Sequence, residues 1–197
     1  MKPDVQRLLE LQKLLLAFSN VDRSIHRQHF KDLRLENDTE HSYNLAMTGW
    51  YLCNWFPELN CDLVIRYAMV HDLVEIYAGD TFIYASPEKL ATKKQREAKA
   101  LKQLAKEWPD FPEMTTLIHE YEKRKSNEAK FIYALDKIMP IMIVYLHDGY
   151  NWKQDDISAK MLHDTKVSQV ALSPEIKPYF EQLHELLLSH PEIIQRG

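Results

Sequence analysis

The chain has 197 residues, a length that favours one domain over two, spanning 1–197. Hydrophobic residues make up 45% and charged residues 27% of it, ordinary globular proportions that exclude wholesale disorder. The net charge of −4 argues against a nucleic acid polymer as partner, and no apolar run reaches the roughly 20 residues of a membrane span. Two cysteines without a CxxC motif predict a reduced, cytoplasmic protein.

Helical periodicity dominates the first third of the chain. Leucines three and four residues apart predict a helix over 4–19, and a polar stretch over 22–39 follows, with room for a short helical piece. Asn37 and Glu40 have the spacing of a capping box, so a helix is expected to start there and to end before Pro57. No extended alternating segment and no internal repeat is found here or later.

Helices also account for the rest of the chain. One opens at Asp62 and closes at Gly79, and Pro87 suits the first turn of a long charged helix that runs to Trp108. Further helices are predicted over 112–123, 127–147, 156–171 and 174–189. The sequence therefore predicts an all-α fold, a compact single-domain bundle of seven to nine helices.

Residues 63–80 (LVIRYAMVHDLVEIYAGD) contain ionisable side chains where the pattern predicts core. The helix is apolar nearly all round, which is typical of a helix enclosed by others. His71, Asp72 and Glu75 share one arc of about 100° on it, whereas Arg66 points to the opposite side. One wall of a buried helix therefore carries an imidazole and two carboxylates.

Residues 131–146 (FIYALDKIMPIMIVYL) form a second core helix, with Asp136 as its single acid. Leaving that charge buried and unpaired costs several kcal/mol, and Lys137 diverges from it by about 100° around a helix. Pro140 cannot donate to the carbonyl of Asp136, so a kink or an opened turn is expected beside it. Asp136 therefore needs a neutralising partner from elsewhere.

A divalent cation shared by Asp136, His71 and Asp72 would neutralise several charges together. His41, in the first turn of the capped helix, is the natural fourth ligand. Two imidazoles and two carboxylates without a thiolate fit Mn, Co, Fe, Ni, Zn or Mg and do not distinguish among them. Four protein ligands on an octahedral ion leave two positions for water and a substrate oxygen.

Each of these residues taken alone has an ordinary structural explanation. His71 could be a hydrogen-bonded core histidine, and the three carboxylates could pair with a basic residue or a tyrosine. The His-Asp pair is not informative in itself, because His147-Asp148 and His163-Asp164 repeat it at positions predicted to lie on the surface. It is the combination of residues on two core helices that indicates a metal site.

Three segments resemble the HD-domain metal-dependent phosphohydrolases and, more narrowly, the HD-domain 5′-deoxynucleotidases. They are RLENDTEHSYNLA at 34–46, HDLVEIYAGD at 71–80 and HEYEKRKSNEAKFIYALDK at 119–137, within a resemblance that spans about 20–146. The family pattern is a histidine, an adjacent His-Asp pair and a distant aspartate. The resemblance implies that one divalent metal ion is held by four residues, His41, His71, Asp72 and Asp136.

The resemblance also implies roles around the metal. Glu75 would be the catalytic carboxylate that acts on the attacking water, and Asp80 would contact the sugar or orient the phosphate end. The candidate phosphate contacts are four basic residues, Arg23, Arg27, Arg34 and Lys137. A homodimer is implied as well, in which the C-terminal helices over 156–189 form the interface or simply complete the core.

Three functions stay open on these residues. The first is hydrolysis of a deoxynucleoside 5′-monophosphate by metal-activated water. The second keeps the site but takes a nucleoside polyphosphate, an alarmone or another phosphoester. The third is a non-catalytic module that senses a nucleotide. No serine or cysteine nucleophile with a paired histidine is evident, which favours direct attack by water over a covalent intermediate.

Overall fold

Ten helices and one two-stranded sheet make up the part of the chain that the computed structural model describes, residues 2–29, 32–82 and 85–197, with the side chains at 27–29 and 32 excepted. In chain order they are α1 (Val5–Phe18), β1 (Asp22–His29), β2 (Asp32–Asn37), α2 (Asp38–Cys53), α3 (Cys61–Val70), α4 (Glu75–Ala78), α5 (Pro87–Glu107), α6 (Pro112–Lys123), α7 (Asn127–Leu146), α8 (Tyr150–Gln154), α9 (Ala159–Val170) and α10 (Lys177–Ser189). Eight of these helices have ten or more residues, whereas α4 and α8 are single turns. The predicted all-α class is confirmed.

Capping residues start the helices close to the predicted positions. The capping box is present: the Asn37 side chain accepts from the Glu40 N–H at 3.0 Å, and the Glu40 carboxylate accepts from the Asn37 N–H at 3.3 Å. At α3 the cap is Asn60 rather than Asp62, and it accepts from the Leu63 N–H at 3.2 Å. Helices α5, α6 and α10 each have a proline in the first turn.

The polar stretch over 22–39 folds largely as an antiparallel β-hairpin. The expectation of a short helical piece in this stretch is therefore wrong, and so is the expectation that the chain has no extended segment. β1 and β2 pair with His26 opposite Leu35. The usual alternation of hydrophobicity is missing because charged residues face inward: Glu36 is fully buried, whereas Leu33 is 45% exposed. The hairpin packs against α2, α7 and α8.

The single helix predicted between Asp62 and Gly79 is interrupted. α3 ends at Val70, and α4 starts at Glu75 after a tight turn in which the Glu75 N–H donates to the Asp72 carbonyl at 2.8 Å. α4 does end at Gly79, whose φ of 70° suits a residue without a side chain. The break releases the residues after Val70 from the regular spacing of one helix face.

Helix α7 is the centre of the core. It packs against α2, α3, α6, α9, α10 and β1. Phe131, Leu135 and Ile138 on it are at most 1% exposed, and burying such a side chain contributes about 1.5–3 kcal/mol. The helix continues through Pro140, so the opened turn expected beside Asp136 is not observed. Asp136 is therefore carried by the most enclosed helix of the fold.

Gly49 allows α2 to approach α3 and α7 closely. A Cβ atom at Gly49 would lie 2.9 Å from Val64 Cγ1 and 3.2 Å from Ile132 Cδ1, closer than ordinary van der Waals contact. The three helices that carry the predicted ligands therefore meet at short distance. A second apolar cluster joins α1 to α5 and α6 through Leu14 and Leu104. No helix in the described ranges combines the length and apolar character needed to cross a membrane.

Candidate metal centre

The four predicted ligands converge from three separate parts of the fold. His41 lies in the first turn of α2, His71 and Asp72 lie in the turn directly after α3, and Asp136 lies in the middle of α7. One nitrogen or oxygen atom from each residue lies within 4.8 Å of the other three. Since each ligand atom lies about 2.0–2.2 Å from a first-row metal, this spacing fits a single ion.

The contacts of His71 indicate that its outer nitrogen is free to bind a cation. His71 Nδ1 donates to the Ala68 carbonyl at 2.9 Å, which fixes the tautomer and leaves the lone pair of the neutral ring on Nε2. Nε2 lies 2.9 Å from Asp72 Oδ2 in a geometry that makes no hydrogen bond. Two acceptors at that distance repel each other unless a cation or a proton lies between them, and a shared metal ion meets that requirement.

His41 is fully buried between two carboxylates. Its Nε2 is 2.8 Å from Asp136 Oδ1, and its Nδ1 is 3.5 Å from Glu36 Oε2. Burial and the charge of Arg23 lower the pKa of His41, but the bonds to Asp136 and Glu36 outweigh them and raise it. Glu36 is thus placed to orient the imidazole from the side away from the cluster, as second-layer carboxylates do around metal sites.

Asp136 has a partner that helix geometry alone did not predict. Lys137 Nζ donates to Asp136 Oδ2 at 2.5 Å, and Nζ also lies 4.9 Å from the ring centre of Tyr133. The expectation that adjacent residues on a helix cannot face each other is wrong here, because the long lysine stem bends back. Burial raises the pKa of Asp136, but Lys137 and His41 outweigh it and hold the pKa well below its usual range.

Arg23, one of the predicted phosphate contacts, lies among the carboxylates. Its Nη1 donates to Asp72 Oδ2 at 2.7 Å and to Asp38 Oδ1 at 3.1 Å, and its Nε is 3.7 Å from Glu36 Oε2. Burial lowers the pKa of Arg23, but the charges of Asp72, Asp136 and Asp38 raise it well above its usual value. Arg23 therefore stays charged and neutralises part of the acidic cluster.

Glu75 and Asp38 form a second acidic group with Asp72. One oxygen from each lies within 4.8 Å of the others. Burial, followed by the charge of Asp72, raises the pKa of Glu75 to about 10 and that of Asp38 to about 7. Glu75 Oε2 is buried and has no hydrogen-bond partner among the described residues. Without a metal, Glu75 therefore holds a proton at neutral pH. A cation bound to Asp72 would neutralise its charge, which is the second cause of the raised pKa of Glu75.

A cavity of about 160 Å³ opens beside the cluster. Its lining combines charged side chains with an apolar and aromatic set, namely Arg23, Asp72, Glu75, Asp80, Lys93, Asp136, Lys137 and Lys166 with Phe82, Ile141, Val144, Trp152 and Leu162. Asp80 enters from the loop after α4, and Arg96 of α5 fixes this loop by donating to Thr81 Oγ1 at 2.7 Å. The predicted residues Glu75 and Asp80 therefore share one cavity with the ligand cluster.

The profile of the family described as HD domain matches residues 20–177, a range that contains the whole cluster. The chain belongs to the HD domain family. The cluster of His41, His71, Asp72 and Asp136 lies within the range that this family profile matches.

Curated relatives of this HD domain include vertebrate enzymes. The 5′-deoxynucleotidase HDDC2 of Bos taurus is 32% identical over 141 residues, which cover 70% of this chain and 66% of that protein. The Homo sapiens protein of the same name is 33% identical over 111 residues, which cover 55% of this chain and 53% of that protein. The aligned segment therefore spans about half to two thirds of the length of these relatives.

Two solved structures have a similar fold. A crystal structure of a predicted metal-dependent phosphohydrolase from Magnetospirillum magnetotacticum MS-1 superposes with a TM-score of 0.78 at 27% identity, covering 95% of this chain and 98% of that one. A conserved hypothetical protein from Pyrococcus furiosus superposes with a TM-score of 0.59 at 19% identity, covering 90% and 99%. The second likeness concerns the fold alone.

One of the predicted phosphate contacts, Arg34, lies away from the described cluster. Arg34 forms an ion pair with Glu40 at the start of α2 and does not line the cavity. The side chain of Arg27 is outside the described part of the chain. Of the four, Arg23 and Lys137 are the ones whose described side chains line the cavity.

Sequence reasoning missed three charged residues of this HD domain. Glu36 and Asp38 are fully buried beside the cluster, although an acid before or after an N-cap is ordinary at a helix start. Lys166 lines the cavity from α9, whose sequence is polar on most sides. Burial inside the fold was their distinguishing property, and none of the three carried a sequence signal of it.

Proposed function

We propose that this chain is a metal-dependent phosphohydrolase that releases phosphate from a deoxynucleoside 5′-monophosphate. The observation that carries the proposal is the convergence of His41, His71, Asp72 and Asp136 on one point beside a cavity that holds further acids and cations. The names of the curated relatives support the substrate class.

One divalent cation would be held by His41 Nε2, His71 Nε2 and the carboxylates of Asp72 and Asp136. The imidazole nitrogens and the carboxylate oxygens together suit Mn, Co, Mg, Fe, Ni or Zn. When bound, such an ion lowers the pKa of water and stabilises the charge that develops on the phosphoryl group. The Glu36 carboxylate on the Nδ1 side of His41 and the Ala68 carbonyl on the Nδ1 side of His71 keep the two imidazoles oriented toward the site.

Glu75 is assigned to proton transfer. Its carboxyl lines the cavity next to Asp72, and its Oε2 has no hydrogen-bond partner among the described residues. Neutralising Asp72 lowers the pKa of Glu75 from its raised value, so that Glu75 can accept a proton from the attacking water and return it to the leaving oxygen. Asp80, on the loop fixed by Arg96, is assigned to the sugar or the phosphate end.

Arg23 and Lys137 are assigned to the phosphate. Both are cations that line the cavity, and each already has a carboxylate partner, so a phosphate adds to an existing pair rather than to an isolated charge. The apolar and aromatic part of the lining offers a surface for the nucleoside.

A substrate panel tests the proposal. The purified protein is assayed with Mn, Co and Mg against deoxynucleoside and ribonucleoside monophosphates, nucleoside triphosphates and a pyrophosphorylated alarmone. Release of orthophosphate from the deoxynucleoside monophosphates is expected. Release of pyrophosphate or of a longer product instead would favour the polyphosphate reading. Tight nucleotide binding in calorimetry without turnover under any metal would favour a sensing module.

The proposal extends to a cytoplasmic homodimer. Both cysteines are free, which fits a reducing compartment. In α10, Phe180 and Leu187 are buried in this single chain, while Tyr179 and Leu186 are more than a third exposed and could contact a second copy. Light scattering on the purified protein measures the mass in solution, and a value of one chain would reject the dimer.

A further inference from the structure

Lys166 is a buried cation that no motif of the sequence singles out. It lies on α9, is 6% exposed, and lines the same cavity as Glu75 and Asp136. Lysine is almost never buried to this extent unless a partner neutralises it. A buried ammonium group in the wall of the proposed active site therefore requires an explanation.

No partner for Lys166 is found among the described residues. Across the described ranges, no carboxylate lies within the 4.0 Å of an ion pair from its Nζ, and no acceptor makes a hydrogen bond to it. Lys160 on the same helix behaves in the ordinary way: its side chain is 66% exposed and pairs with Asp164. The cavity that Lys166 lines also has apolar side chains in its wall, among them Leu162 and Trp152. Its ammonium group is thus left to whatever occupies the cavity.

Other charged residues that line the cavity act on Lys166. Burial lowers its pKa to about 8, the charges of Lys137 and Arg23 lower it too, and Asp136 raises it. Lys137 is already paired with Asp136, and Arg23 with Asp72. Arg23, Lys137 and Lys166 therefore line one cavity, and among the described residues Lys166 is the one of the three without a carboxylate partner. It is still protonated at neutral pH, because its pKa lies above 7.

We propose that Lys166 is a substrate-binding residue that contacts the phosphate group of the substrate. The inference rests on the proposed function in naming a phosphate ester as the ligand. A phosphate dianion supplies the partner that the ammonium group of Lys166 lacks, because it carries several strong acceptor oxygens. Arg23 and Lys137 are already partly neutralised by their own carboxylates, so the phosphate keeps negative charge that Lys166 can neutralise. The uncharged base of a nucleotide offers no such charge, and the apolar lining suits the base instead.

Kinetics of three variants test the assignment. Lys166→Met keeps the length of the side chain and removes its charge, Lys166→Arg keeps the charge, and Lys160→Met is the control on the exposed face of α9. With a deoxynucleoside monophosphate and Mn²⁺, KM is expected to rise about tenfold to a hundredfold in Lys166→Met, with a smaller change in kcat. Lys166→Arg is expected to recover part of the loss, and Lys160→Met to behave as wild type. An unchanged KM in Lys166→Met overturns the assignment.

A binding measurement separates this inference from the proposed function. The metal-free protein is titrated with inorganic phosphate and its Tm is followed. Phosphate is expected to raise the Tm of wild type and of Lys160→Met, and to raise that of Lys166→Met much less. Lys166→Met without phosphate is expected to be more stable than wild type, because an unpaired buried charge has been removed. If phosphate raises the Tm of wild type and of Lys166→Met equally, the inference is overturned. If wild type shows no turnover under any metal, the proposed function is overturned, and this titration still decides whether Lys166 binds phosphate.

Discussion

His71-Asp72 and His163-Asp164 consist of the same two side chains in the same order, in different surroundings. The first pair has side chains that are 1% and 19% exposed, with Asp136 3.9 Å from the imidazole and Arg23 2.7 Å from the carboxylate. The second pair is 38% and 56% exposed, and Asp164 pairs with Lys160 of its own helix. Water can solvate the second pair, whereas the first depends on what the protein places around it.

The contrast between the two pairs shows that their surroundings determine their chemistry. On the surface, the His-Asp pair is screened, and its interactions contribute little. In the interior, the same atoms are held at fixed distances in a medium where charge interactions are stronger, so they can bind a cation or shift a neighbouring pKa. The exposed copy of α9 is therefore a control that the chain itself provides.

The largest effect is expected when the aspartate of the buried pair is removed, and removal of the aspartate of the exposed pair is the control. Asp72→Ala removes a ligand and should lower kcat/KM by at least about a thousandfold, because a metal supplies several kcal/mol of transition-state stabilisation and each 1.36 kcal/mol is a factor of ten. Asp164→Ala should leave kcat/KM unchanged. The measurement is phosphate release with saturating Mn²⁺, and equal rates for the two variants would remove the catalytic assignment of the buried pair.

A smaller loss is expected at Glu75. Glu75→Gln keeps the shape of the side chain but cannot take up a proton, so kcat should fall by about a hundredfold or more. Affinity for Mn²⁺, measured by calorimetry, should stay close to that of wild type, in contrast to Asp72→Ala. If Glu75→Gln lost the metal as well, the residue would be a ligand rather than the group that transfers the proton.

Metal addition should stabilise the protein only by binding to the buried cluster of His41, His71, Asp72 and Asp136. At a Mn²⁺ concentration 100 times the Kd, the expected gain is about 2.7 kcal/mol, and the Tm of a chain of this size rises by about 2–4 °C for each kcal/mol. His41→Ala should abolish the shift, and His163→Ala should retain it. A full shift in His41→Ala would show that the ion binds elsewhere.

The smallest effect concerns pH in the absence of metal. The carboxyl of Glu75 has a pKa of about 10 when folded, against 4.5 unfolded. Above 4.5 the unfolded chain releases this proton while the folded chain retains it, so this residue destabilises the fold increasingly as the pH rises. In EDTA, the Tm of Glu75→Gln relative to wild type should therefore increase from pH 5 to pH 8, by at least about 2–4 °C. A constant difference would mean that Glu75 is ionised inside the metal-free protein.

The helices and the ligand set were accessible from sequence because they obey patterns that burial imposes. Asp136 stands out in an apolar helix, and the capping residues of α2 place His41 at its first turn. The spacing of His71, Asp72 and Glu75 suggested one helix face; His71 and Asp72 lie instead in the turn that separates α3 from α4, and Glu75 is the first residue of α4. Their proximity was predicted correctly, and the local backbone was not.

The hairpin and the second layer of charges were not accessible in the same way. A strand is recognised by apolar residues on alternate positions, and here the inward positions hold Glu36 because the site requires charge. Lys166 looks like any other lysine of a polar helix, since nothing local distinguishes a lysine that faces a cavity from one that faces water. Such residues become visible only when distant segments are brought together.

The close packing of α2 against α3 and α7 at Gly49 affects the candidate metal centre from a distance. His41 lies eight residues before Gly49 on α2, which is roughly 12 Å along the helix axis. One added methyl group would press α2 away from Val64 and Ile132 and lengthen the gap that His41 must span. Since a misplacement of 1 Å can slow a reaction about a hundredfold, the proposed activity depends partly on the size of a residue that lies outside the cluster and the cavity.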